Sequence, residues 1–299
     1  MKKHKGSLEV PGLQYTLPLT EAEGAQPGLR VLIISGIHGA EFAGIAAARR
    51  LAETVKPGEL RGSLTIVHPA NPQGFFERRE YVNPADGLNL GSCFPGNENG
   101  SDSERIAAAL TRRMEGADFV IDLHSGDVHE ALSPFAVVSS ANSDTLEQSL
   151  HAAAGFGFSC TAALSHPGMP VGCASLRGVP GVMAEMGGQG RWSVREAADY
   201  CRRLENCLRV IGVLSGEAEQ KETKLLEGYI SPKAEGSCCW VPRVKPGARL
   251  KKGALIGHTE GLYGENRRQY RAECDCVVLY VVTALAVQKG GSLFALGVL

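Results

Sequence analysis

Arg30 to Ser35 (RVLIIS) is an unbroken aliphatic run, and the Ala-rich stretch Phe42 to Glu53 follows it closely. The first reads as a buried strand and the second as a helix. Ser63 to His68 (SLTIVH) is rich in β-branched residues and predicts a second strand. Asp118–Leu123 and Gly181–Met186 predict two more strands, and Phe135–Ser139 a short one. Helices are predicted over Ser103–Met114 with Asp102 as cap, near Thr145–Ala154, and from the capping box Ser193-x-x-Glu196 to about Leu214. Ser7 to Leu19 breaks into short aliphatic pieces between prolines, the pattern of edge strands or an arm, and Glu21 to Gly28 reads as a turn-rich connection. Asn71 to Gly100 shows no period at all. A structureless loop of that length inside a compact domain is usually functional.

Strands alternating with helices give an α/β domain with a largely parallel or mixed sheet over residues 1–220. The pattern changes near Glu217, where a charged stretch (EAEQKETK) reads as a linker or helix end. Beyond it, short strands are punctuated by Val244-Lys-Pro-Gly, Leu250-Lys-Lys-Gly253 and Gln288-Lys-Gly-Gly291, which predicts a small all-β domain over 225–299.

Composition narrows the class of function. Of 299 residues, 43% are hydrophobic and 21% charged, as in a soluble globular protein. A net charge of -1 gives no electrostatic footprint for nucleic acid or an anionic membrane surface. No stretch reaches the ~18 apolar residues of a membrane span, and the basic N-terminus is not followed by an apolar signal region. A cytoplasmic protein is the simplest expectation, with a small-molecule substrate as partner and a homo-oligomer left open. The nine cysteines, among them Cys238-Cys239 and Cys274-x-Cys276, lack C-x-x-C spacing and read as reduced thiols rather than zinc ligands.

The candidate chemistry lies at three strand ends. His38 and Glu41 sit where the first strand passes into its helix, three residues apart and so on one side of the first turn. His124 and Glu185 end two other strands, and in a parallel sheet such ends converge on one rim. Two imidazoles and a carboxylate are a ligand set that leaves zinc an open position. Asp122, two residues before His124, is placed to accept the other ring N–H of that histidine. Glu185 is left as a carboxylate able to move a proton. Each has a plainer reading alone: a solvated helix start for His38 and Glu41, a core histidine for His124, a turn cap for Glu185, and a cap or arginine partner for Asp122.

Taken in order, Gly36–Glu41 (G-x-H-G-x-E), Asn71–Phe75 (N-P-x-G-F), Asp86–Leu90 (D-G-x-N-L) with Phe94–Gly96, Asp122–Gly126 (D-L-H-S-G) and Glu185–Gly188 (E-x-G-G) resemble the succinylglutamate desuccinylase/aspartoacylase family. That family is a branch of the zinc carboxypeptidase (M14) fold. The resemblance covers about residues 30–215. It implies a zinc-carboxypeptidase-like mixed sheet flanked by helices, one Zn2+ per chain held by His38, Glu41 and His124, and Glu185 as general base and acid. It also implies that the C-terminal β-domain is similar to biotinyl/lipoyl domains, here as a spacer or lid, since no lysine sits at a tight hairpin tip.

The chain departs from the family in one place. The family continues D-G-x-N-L with Asn-Arg, which grips the substrate's carboxylate, whereas this chain has Gly91-Ser92. Glycine and serine cannot replace a bidentate guanidinium fork. By the resemblance, Arg79 stands near the arginine that polarises the scissile carbonyl, and Asn89, Ser92 and Arg191 remain as substrate contacts. The expected function is zinc-dependent hydrolysis of an amide or ester bond in a small N-acyl compound. The alternatives are a carboxypeptidase-like peptidase, a deacylase of amides without a carboxylate, and a zinc-binding relative that has lost catalysis.

Overall fold

The computed structural model describes residues 1–299. The chain enters through an antiparallel pair, β1 (Lys2–Leu8) and β2 (Leu17–Glu23), followed by β3 (Gln26–Ser35), α1 (Phe42–Thr54) and β4 (Arg61–Val67). After α2 (Pro72–Glu77) come α3 (Asp102–Glu115), β5 (Phe119–His124), β6 (Glu130–Leu132), β7 (Phe135–Ser139), α4 (Ser143–Gly155) and β8 (Cys160–Leu164). Then α5 (Pro170–Ser175), β9 (Gly181–Glu185), α6 (Val194–Val210) and β10 (Lys224–Leu225) complete the first part. Nine of these strands form one mixed sheet in the order β1-β2-β4-β3-β5-β9-β7-β8-β10. Its centre, β4-β3-β5-β9, is parallel.

The aliphatic run of β3 is continuous because both faces of that strand are covered. Val31 and Ile33 join one core with Ala43, Ala47 and Leu51 of α1 and Leu204 and Leu208 of α6. Leu32 and Ile34 point the other way, into a core with Ile106 and Leu110 of α3 and Ala174 of α5. Helices therefore flank the sheet on both faces.

The structure differs from the pattern reading in several places. Glu21–Glu23 belongs to β2, where it pairs with both β1 and β4, instead of forming a turn. The aperiodic stretch holds α2, capped by Asn71, whose Oδ1 accepts the Gly74 N–H at 2.9 Å, and a 3-10 turn over Leu90–Ser92. Both elements are too short to show a period. The cap of α3 is Ser101, whose N–H donates to Glu104 at 2.8 Å, rather than Asp102. The last helix ends at Val210, just before Gly212 with φ 76°. Strand β8 and helix α5 carried no pattern that marked them.

The remaining strands are β11 (Gly228–Ile230), β12 (Cys238–Pro242), β13 (Arg249–Leu250), β14 (Leu255–Glu260), β15 (Arg268–Arg271), β16 (Cys276–Val282), β17 (Ala286–Val287) and β18 (Phe294–Val298). They make two antiparallel sheets, β11-β18-β16-β13 and β15-β14-β12-β17. Trp240 fills the space between them, stacked on Phe294 with its ring N–H donating to the Val282 carbonyl at 3.1 Å. This C-terminal region is stitched to the first. β6 pairs with β16, β10 pairs with β8 directly after the charged stretch, and Phe135, Val137 and Met183 share a core with Val277, Leu279 and Ala295. No helix is long and apolar enough to cross a membrane.

Candidate metal centre

The carboxyl ends of β3, β5 and β9 lie side by side, with Ser35 in register with Leu123 and His124 with Glu185. The turn after β3 carries His38 and Glu41 to the same rim. Gly39 allows this approach, because a Cβ there would lie 2.1 Å from the Gly74 backbone. One ligand atom each from His38, Glu41 and His124 falls within 4.8 Å of the others.

The hydrogen bonds orient all three groups. Glu41 lies between the two imidazoles, 2.6 Å from His38 Nδ1 and 3.0 Å from His124 Nδ1. The outer nitrogens face other acceptors: His124 Nε2 lies 3.0 Å from Asp122 Oδ2, and His38 Nε2 lies 3.0 Å from Asn89 Oδ1. The Gly91 N–H donates to that same Asn89 oxygen at 2.8 Å, so the amide presents its carbonyl to His38. Each ring thus donates Nε2–H outward and turns Nδ1 inward. The Ser125 N–H holds Glu41 Oε2 at 3.0 Å, and the Ser125 hydroxyl accepts the Gly44 N–H, locking α1 to the end of β5. Behind them the Tyr200 hydroxyl of α6 lies 2.6 Å from the Ala184 carbonyl and 2.9 Å from that of His124.

Burial opposes charge on both histidines, yet Glu41 beside His38, and Asp122 and Glu41 beside His124, outweigh it and raise both pKa values. Burial likewise opposes charge on Glu41, and the two imidazoles overcome it, holding the carboxyl below the usual range. Geometry sets the two Nδ1 atoms against one carboxylate, at 2.6 and 3.0 Å. The donor set therefore fits a divalent cation with two Nδ1 atoms and one carboxylate, each histidine oriented by an outer acceptor. Glu185, beside His124, has a carboxyl pushed up to about 8, first by burial, against the pull of His124 and with the repulsion of Glu41 and Glu130.

Arg79 lies exposed past the end of α2 and takes no part in the hydrogen bonds of the cluster; Arg191 and Ser92 are exposed too. Asn89, expected to meet substrate, is engaged by His38. The same loop brings in Tyr81, held at φ 60° by its N–H donating to Asp127 at 2.7 Å. Its ring lies 5.1 Å from that of His38, and its hydroxyl lies 3.3 Å from Glu130 Oε1. Asp127 and Glu130 are buried, and burial pushes them up to about 6 and about 7, with Glu41 adding repulsion. Sequence reading passed over all three. Tyr81 stands in a stretch without period, while the two acids lie one and four residues past D-L-H-S-G and were the one available signal. A cavity of about 580 Å³ opens between Tyr81, Glu130 and C-terminal residues including Val282 and Val287.

The profile of the succinylglutamate desuccinylase/aspartoacylase catalytic domain matches residues 27–211. The N-alpha-acetyl-L-2,4-diaminobutyric acid deacetylase of Halomonas elongata is 30% identical over 209 residues, which are 68% of this chain and 60% of that protein. The match thus spans less than two thirds of that relative. The product-bound ectoine utilization protein EutE (DoeB) of Ruegeria pomeroyi superposes with a TM-score of 0.89 at 27% identity, over 99% of this chain and 95% of that one. A succinylglutamate desuccinylase from Silicibacter sp. shares the fold, with a TM-score of 0.84 at 24% identity over 98% and 94% of the two chains.

Proposed function

This chain belongs to the succinylglutamate desuccinylase/aspartoacylase family, and from that premise we propose that it is a zinc-dependent hydrolase of an amide bond in a small N-acyl compound. The observation that carries the reading is the paired orientation of His38 and His124, both turning Nδ1 toward Glu41 with Nε2 held from outside. His38, Glu41 and His124 hold the metal. Zinc, when bound, supplies a Lewis acid and brings the pKa of a water toward neutrality. Glu185 takes the proton from the attacking water and returns it to the leaving nitrogen, a task suited to a carboxyl whose pKa burial moves toward neutrality. Buried Asp122 keeps His124 in the required tautomer.

A narrower reading of substrate is favoured by the pocket wall. Gly91 and Ser92 offer no fork for a carboxylate, Arg79 and Arg191 are exposed, and the buried acid Glu130 lines the cavity beside Tyr81. This supports a deacylase of an N-acyl amine that carries a second, cationic amine. The Halomonas relative is named for an N-acetylated diamino acid, which carries such a second amine beside its carboxylate. We also propose the division into residues 1–220 and 225–299, the latter similar to biotinyl/lipoyl domains. Two facing sheets of short antiparallel strands support that likeness.

Metal analysis and turnover on a panel of N-acyl diamines and N-acyl amino acids, with and without chelator, test the proposal. Zinc near one equivalent and chelator-sensitive deacylation are expected. Glu185→Gln is expected to lower kcat by roughly 10²–10⁴-fold with zinc retained. Zinc retained after both His38→Ala and His124→Ala would refute the site.

A further inference from the structure

A cavity of about 710 Å³ opens on the outer flank of α1, and none of the proposed metal ligands lines it. Its wall is aromatic and aliphatic, built from Phe42, Ile45, Phe75 and Trp192. Trp192 is 56% exposed, and a tryptophan left so open beside other apolar side chains marks a surface that gains from being covered. The polar part of the wall is one-sided. Lys5, Arg49 and Arg50 line the cavity against a single carboxylate, Glu53. None of the three cations forms an ion pair. Their field is felt inside: the imidazole of His68, another lining residue, is held below its ordinary pKa by burial first and by the charges of Arg49 and Lys5 besides.

We infer that this cavity binds a small amphipathic organic anion, its acid group on the guanidinium groups of Arg49 and Arg50 and its apolar body against Phe42, Phe75 and Trp192. Guanidinium forks suit carboxylate, sulfonate and phosphate groups alike, and an aromatic wall suits a body of hydrocarbon or rings. Charge complementarity selects this occupant over a purely apolar one, which would leave the three cations without a counter-charge, and over a bare inorganic anion, which would leave the aromatic wall wet.

The test uses the full chain and the aromatic sulfonate 8-anilinonaphthalene-1-sulfonate, following probe emission and the quenching of Trp192. Trp240, 1% exposed, supplies a constant background. Saturable binding at one site is expected, displaced by decanoate but not by decanol or inorganic phosphate. The double variant Arg49→Gln, Arg50→Gln should weaken binding by about ten-fold or more with circular dichroism and Tm unchanged. Both arginines are exposed, so the variant is expected to fold. Trp192→Ala serves as a second variant, which weakens binding and removes the quenched emission. No saturable binding, equal affinity in the double variant, or displacement by decanol as readily as by decanoate overturns the inference. So does a dimer that excludes the probe and that the same double variant disperses, since the cavity would then belong to a second copy of the chain.

Discussion

The two ring nitrogens of His38 face different acceptors, Glu41 and Asn89, and that asymmetry decides which nitrogen is left for a metal. Asn89→Leu removes the outer acceptor at similar volume. Zinc affinity, read by competition with a chromophoric chelator, is expected to fall by about 10–100-fold, whereas Asn89→Asp keeps the acceptor and the affinity. Unchanged affinity in the leucine variant would show that Asn89 does not orient His38. Glu130 lends itself to a measurement of pH dependence. Its carboxyl is pushed up from 4.5 to about 7 by burial, so between these values the folded chain holds a proton that the unfolded chain has lost. Stability from this group is full below about pH 4.5 and is lost as pH rises through about 7. In metal-free protein, Glu130→Gln should flatten the fall in stability across that window by on the order of 2–3 kcal/mol. Denaturant unfolding at stepped pH reads it, and parallel profiles for the two proteins would count against the assignment.

Among the elements, the turn after β9 controls where Glu185 points. Gly187 has φ 90°, and a Cβ there would meet the Ala43 Cβ of α1 at 2.6 Å. The turn is also bonded to the end of β5, the Gly126 N–H donating to the Gly187 carbonyl at 3.2 Å. Gly187→Ala is therefore expected to cost roughly 1–3 kcal/mol and to lower kcat by displacing Glu185, with zinc content unchanged. An active, equally stable variant would show that the turn tolerates another backbone conformation. Much of this element was legible in sequence, since E-x-G-G ends an apolar run. The short elements α2, α5 and β6 were not. Three to six residues span less than two helical turns or give too few alternations to register a period.

For the whole molecule, the two regions are expected to unfold together. Leu279 is 1% exposed in the core shared by the nine-stranded sheet and the C-terminal strands. Leu279→Ala should cost about 2–5 kcal/mol and lower the midpoint of a single calorimetric transition. Two separated transitions, with only one moved, would show instead that the regions fold independently. The same junction places Glu130, on β6, at the wall of the candidate site, because β6 is paired to β16.

The sequence by itself determined the strand ends, the order of the motifs and the family, because these are written in local runs and fixed short spacings. His38 and Glu41 are three residues apart, Asp122 and His124 two, and a strand or first helical turn converts such spacings directly into direction. Only the tertiary structure decided that Asn89 serves His38, that Tyr81 packs beside that ring with its N–H on buried Asp127, and that Glu130 lines the cavity with it. Those contacts join residues 46 to 51 positions apart across chain without a period. Their partners are chosen by the packing of the sheet, which no local pattern encodes.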